Sequence, residues 1–262
     1  MATYPVAPLF ALLVLGHAPA LAQKPKEPPV DPTIPKRLTE LKSYVKNRKM
    51  TDDFQAIGLM QALTKAPDQQ NSRDQRKVVK GLGDCFKLGK VREGARDVLY
   101  RETADALAKY GEDGAKQLAK YVENKRFKDN LSLRAHMLRD LGKTEDDDQI
   151  DFLIEVTSRS PHDELRAAAG EALGNFTDAK IKDKREIVKM IIRAWGSQHS
   201  AATQPVSNDP NAPVDFGPQN ARRILRACEG KWVATLQKLT GVSHRKFMDW
   251  QRWQNKNKRW KN

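Results

Sequence analysis

The side chains best suited to metal or nucleophilic chemistry are five histidines and two cysteines, and their spacing assembles no site. His17, His136, His162, His199 and His244 are scattered along the chain. No two of them stand at i, i+4, the separation that lets two imidazoles on one helical face share a zinc ion. Cys85 and Cys228 stand alone, outside any C-x-x-C pair. The acidic run Glu145-Asp146-Asp147-Asp148 has carboxylates for a cation but lacks the glycine and the distal glutamate of a calcium loop. Acids just before a helix are in any case favoured by its dipole. The segment GLGDCFKLGK spaces its glycines like a phosphate loop, yet no strand precedes it and no Gly-Lys-Ser/Thr closes it, so it reads as helix-ending turns. The sequence thus predicts no catalytic residue, no metal ligand, no cofactor and no small-molecule substrate.

Binding chemistry is concentrated at the C-terminus. Of the chain's net charge of +14, the stretch Lys231 to Lys261 supplies +8, with nine cations against the single acid Asp249. Trp232, Trp250, Trp253 and Trp260 are interleaved with them, four of the five tryptophans present. Cations neutralise phosphate or sulfate while aromatic faces stack on bases or sugars, so this pattern suits a polyanion. The candidate polyanion-binding residues are Arg245, Lys246, Trp250, Arg252, Trp253, Lys256, Lys258, Arg259 and Trp260. A second reading stays open beside it. Trp232, Leu236 and Leu239 have near-helical spacing and suit a core, and a terminal helical unit must cover an open apolar end.

The elements that position these residues are helices. LRAHMLRDLG (Leu133 to Gly142) recurs as LRAAAGEALG (Leu165 to Gly174) after 32 residues, and LYRETADALA (Leu99 to Ala108) fits the same frame 34 residues earlier. A period in this range marks stacked helical units. The repeat positions are Leu99, Leu107, Leu133, Leu141, Asp163, Leu165, Arg166 and Leu173. Elsewhere Leu38, Leu41 and Val45 make one apolar face, as do Val78, Val79, Leu82, Cys85 and Phe86, and again Ile187, Met190, Ile191 and Ala194. No segment alternates in the manner of a strand. The expected class is all-α, about five antiparallel helix pairs stacked as an α-solenoid. Several units then separate Cys85 from Cys228, farther than the roughly 7 Å between Cα atoms that a disulfide spans, and two buried thiols are predicted.

Three segments depart from this pattern. Residues 1–22 contain an uncharged apolar run ending in Ala20-Leu21-Ala22, as in a cleaved secretory signal, which predicts an exported protein, periplasmic or secreted. With the leader gone, no integral membrane segment is expected. Residues 23–37, with five prolines between Lys24 and Arg37, read as an extended tether. Residues 197–219 carry four prolines and no helical period, and read as a loop inserted between paired helices. The division is therefore leader 1–22, tether 23–37, helical array 38–241 and basic, tryptophan-rich cap 242–262.

The sequence Asp163-x-Leu165-Arg166-Ala167-Ala168-Ala169, with Glu171-Ala172-Leu173-Gly174, resembles the second helix of a HEAT repeat. Leu133-Arg134-Ala135 with Leu138 and Leu141-Gly142 is a looser copy. The likeness covers about Leu99 to Gly196 and extends to the phycobilisome-lyase-like HEAT proteins and to the bacterial exported HEAT proteins that end in LTG, W-x-x-W and a lysine-rich tail. It implies an armadillo-type fold in which Asp163 and Arg166 join a polar ladder between units, with Asn130 replacing the acid one unit earlier. It also implies a non-catalytic scaffold that holds a protein partner or an acidic polymer. An enzyme is the alternative, since some HEAT-like proteins are DNA glycosylases for alkylated bases and others are lyases. No catalytic acid here matches a motif of either.

Overall fold

The computed structural model describes residues 27–204 and 215–260, so the leader 1–22 and the middle of the 197–219 segment lie outside the described residues. The described chain is helical, with no strand among the described residues. The elements are α1 (Ile34–Lys46), α2 (Asp53–Leu63), α3 (Ser72–Lys87), α4 (Val98–Leu107), α5 (Gly111–Val122), α6 (Leu131–Lys143), α7 (Ile150–Arg159), α8 (Asp163–Ala172), α9 (Ile181–Ala202), α10 (Gly217–Thr240) and α11 (Phe247–Lys256). No described helix is long and apolar enough to cross a membrane.

Much of the packing joins each helix to the one two places along the chain. Along one row, α2 meets α4, α4 meets α6, α6 meets α8 and α8 meets α10. On the other side α1 packs on α3, α3 on α5, α7 on α9 and α9 on α11. The buried side chains form a single core cluster. Leu99, Leu107, Leu133, Leu141, Leu165 and Leu173 are all buried in it, as their helical spacing requires. The recurring Leu-Gly at the end of the repeat has a packing cause. A Cβ on Gly142 would stand 2.6 Å from the carbonyl oxygen of Ala172, so the bare glycine and the alanines of α8 let α6 and α8 approach closely.

The arginine of each Leu-Arg-Ala faces backbone rather than a ladder acid. Arg134 donates from Nε to the Val122 carbonyl at 2.7 Å, and Arg166 donates to the Ser160 carbonyl. Each thereby satisfies a carbonyl left orphaned at the end of the helix before it. Asp163 instead faces Arg223 of α10 at 3.8 Å. The expected Asp163–Arg166 ladder is absent among the described contacts. A polar link between the starts of α4 and α6 runs through Asn130, whose Nδ2 donates to Asp97 Oδ2 at 3.1 Å, and through Arg101, which bridges Asp97 and Ser132.

Three boundaries differ from expectation. The tether 23–37 is helical from Ile34, because Pro35 sits in the first turn, where its missing N–H bonds nothing. Residues just before it are docked on the start of α3. Asn71 donates to the Pro28 carbonyl at 2.9 Å, and the Asp31 amide donates to Asp74 at 2.7 Å. The loop 197–219 is helical at both ends, since α9 continues to Ala202 and α10 begins at Gly217. Within GLGDCFKLGK, Gly81 and Gly83 lie inside α3 rather than in turns. Only Gly89, at φ +72° with Val45 O where a Cβ would project, acts as a turn glycine. Cys85 and Cys228 are both buried and unpaired, and burial pushes each thiol up to about 12.

Candidate functional site at the C-terminal end

The C-terminal surface is built on aromatic burial. Helix α10 sends Trp232, Leu236 and Leu239 into the core and stops at Gly241, whose φ of +70° reverses the chain. The chain re-enters a helix at Phe247, whose ring packs on Trp195 and His199 of α9 with centroids 5.6 and 5.1 Å apart. One turn later Trp250 is fully buried and its Nε1 donates to the His244 carbonyl at 3.1 Å. Trp253 lies against Trp250, and Trp260 against Trp253, at 5.7 and 5.9 Å between centroids. The three rings descend from core to surface, and Trp253 and Trp260 are half-buried. The tail is pinned back over α9 by Arg185, which donates from Nε to the Trp260 carbonyl at 2.9 Å.

This scaffold divides the predicted binding residues. Arg245, Lys246, Arg252, Lys256, Lys258 and Arg259 are all exposed. Among the described residues only Arg252 of these has a carboxylate within ion-pair reach, Asp249 at 3.4 Å. Trp253 and Trp260 each keep part of a face open. Trp250 does not: its indole is enclosed by its neighbours and cannot stack on a ligand, so it leaves the binding set and joins Trp232 as core. Between α9 and the returning tail lies a shallow groove of about 450 Å³, lined by Arg185, Lys189, Asn257, Lys258 and Trp260 among others. Glu186 lines the same groove and pairs with Lys189 at 3.1 Å, which leaves Arg185 and Lys258, with the amides and the Trp260 indole, as the groups that can meet an extended anionic chain.

The acidic run resolves as helix-entry structure. Asp146 Oδ1 accepts from the Asp148 amide at 3.3 Å, ahead of α7. A different group was not anticipated. His136 and Asp140 lie one turn apart on α6, and the preceding helix of the same row, α4, presents Asp105 to both. His136 Nε2 is 3.3 Å from Asp105 Oδ2 and 3.1 Å from Asp140 Oδ2. Lys143 Nζ is 2.7 Å from Asp140 Oδ1 and 3.4 Å from Asp105 Oδ1. The two carboxylates, Asp105 foremost, hold the imidazole protonated and push it up to about 9, while His136 in turn holds Asp105 below the usual carboxylate range. Histidine-to-histidine spacing could not reveal this group. A histidine followed at i+4 by an aspartate was the signal in the sequence. No protein-family model, curated protein or solved structure matches this chain.

Proposed function

We propose that this chain is an exported, non-catalytic binding module, an α-solenoid of HEAT-like helix pairs whose C-terminal face engages an acidic polymer. The packing of helix on the helix two places along the chain, from α2 through α10, supports the solenoid reading. The apolar, uncharged leader supports export. The observation that carries the binding role is the set of six exposed cations on α11, on the turn that leads into it and on the pinned tail, five of them without a carboxylate partner among the described residues. Unpaired cations in fixed positions release condensed counterions when they meet a polyanion, and that release is the driving force.

Binding of the protein to duplex DNA and to an acidic polysaccharide across a salt series tests this role. The expected result is measurable affinity that falls steeply and log-linearly with salt, and weakens when Lys256, Lys258 and Arg259 are changed together to glutamine. Salt-independent binding, or none to either polymer, overturns the polyanion role and shifts the search to a protein partner on the helical rows.

A further inference from the structure

The His136 cluster is arranged around a point rather than along a hydrogen bond. The Nε2 position carries one proton at most, and here two carboxylate oxygens compete for it at 3.1 and 3.3 Å. His136 Nε2 and both oxygens of Asp140 are sealed from solvent; Asp140 Oδ1 meets the Lys143 ammonium at 2.7 Å, while His136 Nε2 and Asp140 Oδ2 have no hydrogen bond of good geometry. Asp140 is fully buried. A larger cation placed among them would meet all three groups at once. With metal–ligand bonds of about 2.0–2.2 Å, the donor atoms of a tetrahedral zinc-type site lie roughly 3.3–3.5 Å apart. The nitrogen–oxygen separations here are close to that edge, and the three donor atoms all fall within 4.8 Å of one another.

We propose that His136 Nε2 and the Oδ2 atoms of Asp105 and Asp140 bind one divalent transition-metal ion of the zinc, cobalt or nickel type. Imidazole with two carboxylates suits such ions better than calcium, which takes six to eight oxygens. Lys143 does not obstruct the site, because it contacts the opposite oxygen, Oδ1, of each carboxylate. It stands where the outer partner of a carboxylate ligand stands, fixing the orientation of both. The ion displaces the imidazole proton and ties α4 to α6. Asp105 is the open side, its side chain 43% exposed, so the remaining coordination positions fall to water.

Cobalt(II) titrated into the chelator-treated full chain is the direct test, because four- and five-coordinate cobalt absorbs visible light far more strongly than the hydrated ion. The expected result is a saturable band at one equivalent, bleached by added zinc. Asp105→Asn, at the exposed ligand, should keep the fold and weaken cobalt binding at least about tenfold, and His136→Gln should abolish the band. If wild-type protein gives no band, or if both folded variants bind as wild type does, the site is elsewhere or absent and the assignment fails. Should His136→Gln not fold, Asp105→Asn decides alone: unchanged binding overturns the site, and weakened binding supports it.

Discussion

Two charged regions of this molecule hold together on opposite terms. Between α4 and α6, charge itself is the fastening: Asp105, Asp140, His136 and Lys143 neutralise one another across the helix contact. At the C-terminus most of the exposed cations fasten nothing, the Arg252–Asp249 pair and the Arg185 contact to the tail apart. Phe247, Trp250 and Trp195 hold that element by burial, and Arg245, Lys246, Lys256, Lys258 and Arg259 point outward without carboxylate partners among the described residues. The difference teaches where to read function from net charge. The excess of +14 is informative where structure makes no use of it, and silent where each cation already has its anion.

Removing the fastening in each region should therefore take opposite substitutions. The largest effect is expected from Trp250→Ala, which empties a fully buried indole site and leaves the His244 carbonyl with one of its two side-chain donors, Gln237 Nε2. Urea unfolding should show a loss of about 3–5 kcal/mol. A loss under about 1 kcal/mol would mean the ring is less enclosed than described and return Trp250 to the binding surface. In the other region Asp140→Asn leaves His136 and Lys143 facing one another with only Asp105 to balance them. The expected loss is about 2–4 kcal/mol, below the fully buried limit because Lys143 and Asp105 reach solvent. Asp249→Asn, the matching change at the C-terminus, should cost under about 0.5 kcal/mol, since its pair with Arg252 is on the surface. Comparable losses from the two asparagine variants would erase the contrast.

How much of this was legible follows from what burial writes into a sequence. The repeat leucines and the apolar faces of α1, α3 and α9 were readable because each buried residue recurs at helical spacing. The end of α9 was not, because residues 197–201 bury no side chain and so carry no periodic signal; part of their support is Phe247, stacked on His199 from a helix nearly fifty residues later. Trp250 was misread for a related reason. Its cationic neighbours suggested a surface, while the deciding pattern was Phe247 and Trp250 at i, i+3 on one face. The His136 group needed one piece visible in sequence, Asp140 at i+4, and one that only packing supplies, Asp105 on the neighbouring helix.

A smaller effect separates the regions by pH. The imidazole of His136 ordinarily titrates near 6.5, and in the folded chain Asp105 and then Asp140 push it up to about 9. The charged groups around it are Asp105 on α4, Asp140 and Lys143 on α6 and, farther off, Asp97 at the start of α4. A raised folded value means that the native state holds the proton more tightly than the unfolded chain. The contribution is complete below about pH 6.5 and is lost as pH climbs through about 9, on the order of 1–2 kcal/mol after solvent screening. Unfolding in chelator at the two ends of that window should show this decline, and His136→Gln should flatten it. An equally steep decline in the variant would assign the dependence to other groups.

The smallest change in stability should accompany the largest change in binding. Lys256→Gln with Lys258→Gln removes two exposed cations that contact no acid among the described residues, so unfolding free energy should stay within about 0.5 kcal/mol of the parent. If both cations meet phosphates, the slope of log affinity against log salt for duplex DNA should fall by about two. Both readouts are needed, because either alone has a second cause: lost affinity with lost stability is misfolding, and retained stability with retained affinity means that these lysines only solvate the surface. In that last case the C-terminal element is a lid on the hydrophobic end of the helical rows and no more, and its charge serves solubility. Retained stability with a reduced salt slope is the outcome that keeps the two regions distinct, one charged to hold itself together and the other charged to hold something else.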